Sequence, residues 1–447
     1  MHRLPFYVWS SLAAVLYVSL GGCATPPSQP LTPPPVVQPA ELAPVEPQTP
    51  VKPQVPAQPS VEPPPQVQAL PLEPASSPGA KSEPHIALLL PLKSVAFGRA
   101  AETLQRGFLA AASSQRHSLP IKIYGSFDES KDIVALYQLA VSSGAVAVAG
   151  PLTRDGVTAL AAYPKITVPT LALNVTENRD ASLLYSFSLS VEAEARQVAQ
   201  MAAAAKLRYA TIVSTGAPLS KRLSAAFAEE WKALGGSVTA EILFHDNPAV
   251  LALLPTDPGD AAPAPFVRPM TSFGTAPGVA DPNFIPPPVI APGNMVFLVA
   301  DVEKARIIRP YLHSALPIYA TSQLFNSNAD TLTNYDLADI RFVDMPWLLQ
   351  PDHPAVMIYP RANPPLTPDM ERLYALGIDA FRLLQILLDG SYRTVLPLDG
   401  VTGRIRLSNY NQMQREGIPA QIKQGRSQIS DYPLPVSHMP ILLPARR

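Results

Sequence analysis

The amino-acid sequence predicts an α/β fold made of two doubly wound lobes, preceded by a long extended segment that has no core of its own. Three observations predict it. Proline-rich sequence fills residues 24–84, whereas the chain from His85 onward alternates short apolar runs with amphipathic stretches. Strands that alternate with helices are typical of parallel βαβ units. The alternation restarts after residue 187, which indicates a second sheet of the same kind.

The first 22 residues have the pattern of a signal peptide. His2-Arg3 form a short basic start, an apolar run follows, and Gly21-Gly22 are small enough for a peptidase cleft. Cys23 comes next and is the only cysteine, so it has no internal disulfide partner. The stretch "LGGC" resembles the bacterial lipobox, which implies that Cys23 is acylated, with palmitate-type chains, and becomes the N-terminus. The alternative is an ordinary secretory signal with a chance cysteine.

Residues 23–84 are expected to form a disordered linker behind the lipid. Proline fixes φ and removes backbone donors, so neither a helix nor a central strand is expected here. Fully extended as polyproline II, a segment of about 61 residues would reach on the order of 190 Å. We interpret it as a spacer that carries the folded part away from a membrane. The alternative is a ligand for a proline-binding module.

The composition argues against several functions. Lys and Arg number 34 against 35 Asp and Glu, and there is no basic block, so nucleic acid is not an expected partner. The seven histidines are scattered and none pairs at metal-ligand spacing. The sequence has neither a G-x-S-x-G elbow nor a P-loop. We therefore expect no enzyme activity, no metal and no cofactor.

The first lobe begins at His85 with "HIALLLPL", which is short and apolar like a strand buried on both faces. In the next stretch Leu104, Phe108 and Ala112 recur at helical spacing. The pattern then predicts, in order, the strand "PIKIYGSF", the helix "SKDIVALYQLAVSSG", the strand "AVAVAG", the helix "TRDGVTALAAYPKI" and the strand "VPTLALN".

The second lobe repeats this alternation. Its predicted elements are the helix "EAEARQVAQMAAAAK", the strand "YATIVST", the helix "SKRLSAAFAEEWKALGG", the strands "SVTAEILF" and "NMVFLVA", the helix "DVEKARIIRPYLHS" and the strand "LPIYATS". A long amphipathic helix, "DMERLYALGIDAFRLLQILLDG", follows. The tail "GVTGRIRLSNYNQMQREGIPAQIKQG" has the pattern of a terminal hairpin.

Two such sheets, with the chain returning to the first, predict the bilobal type I periplasmic-binding-protein architecture over residues 85–447. The expected boundaries place 85–187 and 346–395 in lobe 1, and 188–345 and 396–447 in lobe 2, with crossings at 186–190 and 344–349. Residues 251–292 are proline-rich and too long for an ordinary connection, so we expect a disordered insertion in lobe 2. The alternative is a partner-binding loop.

Four residues are candidates for lining the cleft between the lobes, because each follows a predicted strand. They are Ser94, Thr153, Arg154 and Asn174. Ligands of such folds bind at the carboxyl ends of strands, next to helix N-termini. Arg154 could hold a carboxylate with two hydrogen bonds. Helix capping for Thr153 and turn formation for Ser94 and Asn174 are the alternatives.

Several of these stretches, in this order, resemble the LppC/LpoA family of penicillin-binding-protein activators. The resemblance extends from about His85 to Arg406 and rests on "IALLLPL", "RGFLAA", "AGPLTRDGVTAL", "LALN", "MVFLVAD", "RIIRPYL", "LPIYATS", "DMPWLL" and "ALGIDAFRL". It covers the C-terminal domain of that family. The helical TPR-like domain that better-known members carry between lipid and binding-protein domain is not expected here, where only the proline-rich linker stands.

The resemblance implies a lipoprotein anchored in the outer membrane on its periplasmic side. Its partner would be a class A penicillin-binding protein, the bifunctional synthase of peptidoglycan, so its role would lie in cell-wall synthesis and cell shape. The fold alone would also allow a periplasmic solute-binding module, for an amino acid or a peptidoglycan fragment, that serves a transporter or sensor.

Overall fold

The computed structural model describes residues 83–115, 119–175, 183–247, 250–251 and 292–430. The predictions for the signal peptide, for Cys23 and for nearly all of the proline-rich linker and the insertion lie outside these residues. The described strands, in chain order, are β1 (His85–Leu90), β2 (Ile121–Gly125), β3 (Ala145–Ala149), β4 (Thr170–Ala172), β5 (Leu184–Phe187), β6 (Tyr209–Ser214), β7 (Ser237–Leu243), β8 (Asn294–Val299), β9 (Ile318–Ala320), β10 (Arg341–Asp344), β11 (Leu398–Asp399), β12 (Arg404–Leu407), β13 (Gln412–Glu416), β14 (Ile418–Lys423) and β15 (Arg426–Ile429).

Within the described residues, these strands form two mixed sheets, one per lobe. The first has the order β11-β12-β13-β5-β4-β3-β1-β2, and the second the order β15-β14-β10-β9-β8-β6-β7. Pairing is parallel from β13 to β2 and from β10 to β7, and antiparallel at the other end of each sheet. This confirms the predicted α/β fold with two sheets.

Helices cover both faces of each sheet, as parallel sheets require. The described helices are α1 (Gly98–Ser113), α2 (Glu129–Ser142), α3 (Arg154–Ala161), α4 (Val191–Ala204), α5 (Pro218–Ala233), α6 (Val302–Ile308), α7 (Pro346–Leu349), α8 (Pro354–Met357), α9 (Pro368–Leu388) and α10 (Tyr392–Val395). In β1, Ile86 and Leu88 pack with α1 and α9, whereas Ala87 and Leu89 pack with α2 and α3. None of the helices in the described ranges is both long and apolar enough to cross a membrane.

The boundary that was predicted at residue 396 is wrong. The chain passes from the first sheet to the second between Phe187 and Val191, returns after Asp344, and crosses a third time at Gly417. Strands β11 to β13 therefore complete the first sheet, and only β14 and β15 belong to the second. The tail therefore forms two antiparallel units, β11 to β13 in the first sheet and β14 with β15 in the second. The first unit joins its sheet because β13 pairs in parallel with β5. The alternating pattern of the tail does not encode this long-range pairing.

Two glycines allow α1 and α9 to touch. A Cβ added to Gly107 would lie 1.9 Å from the carbonyl oxygen of Tyr374, and one added to Gly377 would lie 2.1 Å from that of Leu104. Phe108 and Phe381 pack edge to face beside this contact, with ring centroids 5.2 Å apart. The glycines of "RGFLAA" and "ALGIDAFRL" thus set the spacing of the helix layer that covers the core of the first lobe.

We expect Gly377→Ala to lower the free energy of unfolding by about 1–3 kcal/mol, because the new methyl group forces the two helices apart. Urea unfolding followed by circular dichroism measures the change. Gly125→Ala is the matched control, since its Cβ would meet only ordinary contacts, the nearest at 3.4 Å. Equal stability of the Gly377→Ala variant and the control would contradict the close-contact role.

Candidate functional site

A cavity of about 450 Å³ lies between the lobes, near the first and third crossings. One wall comes from the first sheet and the start of α3, and the other from α4 of the second lobe. The lining residues are Arg154, Val175, Ser186, Ser188, Ser190, Glu192, Ala193, Arg196, Gln197, Gln200, Arg406, Gln412, Met413, Gln414, Arg415 and Glu416. The volume is that of a pocket for a small molecule.

Strand alternation makes the sheet wall of this cavity polar. Gln412 lies opposite Ser186 in the parallel pair β13–β5, and Gln414 lies opposite Arg406 in the antiparallel pair β13–β12. Neighbouring residues such as Phe187 belong to the core under α1 and α9. Because side chains of a strand alternate between faces, Ser186, Gln412 and Gln414 point to the other side.

The cavity has an excess of positive charge. Its two glutamates are already paired: Glu416 with Arg406, and Glu192 with Arg222 at 2.9 Å. Burial by itself raises the pKa of Glu192, but hydrogen bonds and the Arg222 charge outweigh it and hold that pKa below its ordinary value. Arg154 is exposed at the start of α3 and has no carboxylate partner among the described residues.

Polar groups on the sheet wall are available to a ligand. Ser186, Ser188, Gln412 and Gln414 line the cavity, and their side chains make no hydrogen bond within the described part of the protein. Together with Arg154 they offer hydroxyl, amide and guanidinium groups on one side of the space. This arrangement suits a small polar solute that carries a carboxylate.

Arg154 is the one sequence-predicted cleft residue that lines this cavity. Thr153 is the N-cap of α3, where its Oγ1 accepts a hydrogen bond from the Gly156 N–H at 3.2 Å. The backbone N–H of Thr153 donates to Glu129 at 2.6 Å. Burial raises the pKa of Glu129, although the hydrogen bonds from this loop act in the opposite direction.

Ser94 and Asn174 have turn roles in the structure. The Ser94 Oγ accepts from the Phe97 N–H at 3.4 Å, just before α1. The Asn174 Nδ2 donates to the Leu152 carbonyl at 3.1 Å, and its Oδ1 accepts from the Val175 N–H. Neither lines the cavity. Cys23 lies outside the described residues.

The sequence reasoning missed the residues on β5, β13 and α4. The alternation of polar residues in "NQMQRE" is a usable signal, but the pattern of the tail predicts a hairpin of the other lobe. The part of the chain that the structure describes contains no group of three or more His, Cys, Asp or Glu residues placed to hold a metal ion.

Comparison with known proteins gives matches over the residues of the two lobes. A family model described as "LppC putative lipoprotein" matches residues 80–254 and 292–425. Curated relatives named penicillin-binding protein activator LpoA include one from Edwardsiella piscicida, 26% identical over 309 residues, covering 66% of this chain and 44% of the relative. Another, from Photobacterium profundum, is 26% identical over 344 residues, covering 74% and 54%. The chain spans about half the length of these relatives.

Solved structures agree on the fold. The LpoA C-domain from Haemophilus influenzae, described as a regulator of PBP1A, is 22% identical with a TM-score of 0.58, over 77% of this chain and 99% of that one. A "putative branched-chain amino acid ABC transporter" from Chromobacterium violaceum is 34% identical with a TM-score of 0.60, over 76% and 100%. Because the family model covers more than half of the residues, the chain belongs to the LppC/LpoA family.

Proposed function

We propose that this protein is an outer-membrane lipoprotein that binds a class A penicillin-binding protein and activates it in peptidoglycan synthesis. The observation that carries the proposal is the family match, together with curated relatives that are named as activators of penicillin-binding proteins. The matched residues are those of the two lobes, so the two-lobed body is the part that would touch the synthase.

An activator works by binding the active state of its partner more tightly than the inactive state. It needs no catalytic group of its own. A proline-rich linker between a lipid and this body would give it reach, because an extended segment of this composition is stiff. The synthase, rooted in the other membrane, would then be within range.

The first prediction concerns the synthase. Adding the full chain to the class A synthase of its own host should raise the glycosyltransferase or transpeptidase rate, and the two proteins should co-purify. Polymerisation and crosslinking assays measure the two rates separately. Unchanged rates together with no association would reject the proposed function.

The second prediction concerns the anchor. Cys23→Ala should remove the protein from the outer-membrane fraction, because no acyl chains can be attached. Ser28→Ala, five residues further on, should leave it in the membrane fraction. Immunoblots of separated fractions measure the outcome. A Cys23→Ala protein that stays with the outer membrane would rule out acylation as the anchor.

A second candidate function is the binding of a small carboxylate-bearing solute between the lobes. Two observations favour it: the cavity with Arg154, which has no carboxylate partner in the part of the chain that the structure describes, and the 34% identical structure described as a "putative branched-chain amino acid ABC transporter". The same body would then serve a transporter or sensor. Chemistry alone leaves two sources for such a solute, a free amino acid and a fragment of peptidoglycan.

The third prediction tests this candidate with L-leucine and muramyl dipeptide as probes. A solute that binds the folded state adds about 2.7 kcal/mol of stability at a concentration of 100 times its Kd, so the melting temperature should rise with one probe. Arg154→Ala should abolish that rise, whereas Arg99→Ala, an exposed arginine at the start of α1, should keep it. No shift with either probe would dismiss both solutes.

A further inference from the structure

A buried arginine of the first lobe is bonded to the second lobe. Arg372 lies near the start of α9, and its Nη2 donates to Asp344 Oδ2 at 2.6 Å while its Nε donates to Oδ1 at 3.2 Å. The same Nη2 donates to the backbone carbonyls of Ser322 at 3.0 Å and Phe325 at 3.2 Å. Asp344 ends β10 and the two carbonyls follow β9, so all three acceptors belong to the second lobe.

A second arginine makes the same kind of bridge. Arg415 on β13 of the first lobe donates to Glu194 on α4 of the second lobe, and its Nη1 also donates to the Thr402 carbonyl at 3.3 Å. Glu194 accepts a further hydrogen bond from the Ser322 N–H at 3.1 Å. Ser322 therefore joins the two ion pairs into one network.

An amide completes the network at the third crossing. Gln197, one helical turn after Glu194, donates through Nε2 to the Gly417 carbonyl at 2.7 Å and accepts through Oε1 from the Gly417 N–H at 3.0 Å. We use the name interlobe clasp for the side chains of Glu194, Gln197, Asp344, Arg372 and Arg415 together with the backbone N–H and carbonyl of Ser322.

The clasp is buried. The side chains of Arg372 and Asp344 are 10% and 1% exposed, and those of Arg415 and Glu194 are 4% each. Burial by itself lowers the pKa of Arg372, but the adjacent Asp344 charge and its hydrogen bonds outweigh it, so that pKa is raised and the guanidinium stays charged.

Any rotation that separates the lobes at this place would strand buried charges. Removing one partner from a buried ion pair is strongly destabilising, since the remaining charge is neither solvated nor compensated. The bonds from Arg372 to the two carbonyls would break in the same motion, and Gln197 would hold the crossing residue Gly417 against the second lobe.

We propose that the interlobe clasp fixes the angle between the lobes, so that the protein presents both lobes to its partner as one preset surface and does not close around a solute. The part that concerns the partner rests on the proposed function above. The fixed angle itself is a property of this chain and is tested without the synthase.

The experiment measures the interlobe distance by double electron–electron resonance on the full chain. Cys23→Ser removes the native thiol, and Glu102→Cys on α1 and Lys221→Cys on α5 introduce one spin label on an exposed site of each lobe. The parent protein should give a single narrow distance distribution. Arg372→Met should broaden it or add a second population.

Arg382→Met is the matched control for charge. It removes an arginine of the same helix whose partners, Asp379 at 2.9 Å and the Asp399 carbonyl at 3.0 Å, both lie in the first lobe, so the distance distribution should not change.

If Arg372→Met fails to fold, Gln197→Ala replaces it, because this change leaves no buried charge without a partner. Its control is Gln200→Ala, whose partner Glu230 lies within the second lobe at 2.7 Å.

A broad parent distribution, or clasp variants that match their controls, would overturn the proposal. Synthase stimulation is measured in parallel on the chain that keeps Cys23, because Cys23→Ser would also remove the proposed lipid anchor, and it separates the two hypotheses. A parent that stimulates the synthase but shows many distances refutes the clasp alone. A parent with one distance and no stimulation refutes the proposed function alone.

Discussion

The third crossing of the chain is the constraint on which the rest of the structure depends. Strand β13 of the first sheet ends at Glu416, and strand β14 of the second sheet starts at Ile418. Gly417 is the only residue between these two strands. A Cβ at Gly417 would lie 3.0 Å from the Asp344 carbonyl oxygen, so the two crossings pass in close contact. This crossing brings Arg415 within reach of Glu194.

The same crossing builds the cavity. Because β13 pairs with β5, its polar face continues that of Ser186 and lies opposite α4. Gln197 belongs both to the cavity wall and to the interlobe clasp. Ligand chemistry and lobe geometry are therefore physically coupled here, and a solute in this space would meet walls whose separation is already set.

Part of the site was accessible from sequence and part was not. Arg154 was found because it follows a strand and begins a helix, which is local information. Thr153, Ser94 and Asn174 share that local signature, yet their side chains are used for a cap and for turns. Whether a polar group after a strand satisfies its own backbone or faces a cleft depends on distances that a local pattern does not contain.

The sequence by itself determined the alternation of strands and helices, the α/β class and the family. These follow from short-range patterns of apolar spacing and from the order of recognisable stretches. Only the tertiary structure decided that β11 to β13 join the first sheet and that Arg372 and Arg415 bridge the lobes. The physical reason is that strand pairing and buried ion pairs join residues as far apart as Glu194 and Arg415, and such contacts leave no periodic trace in the chain.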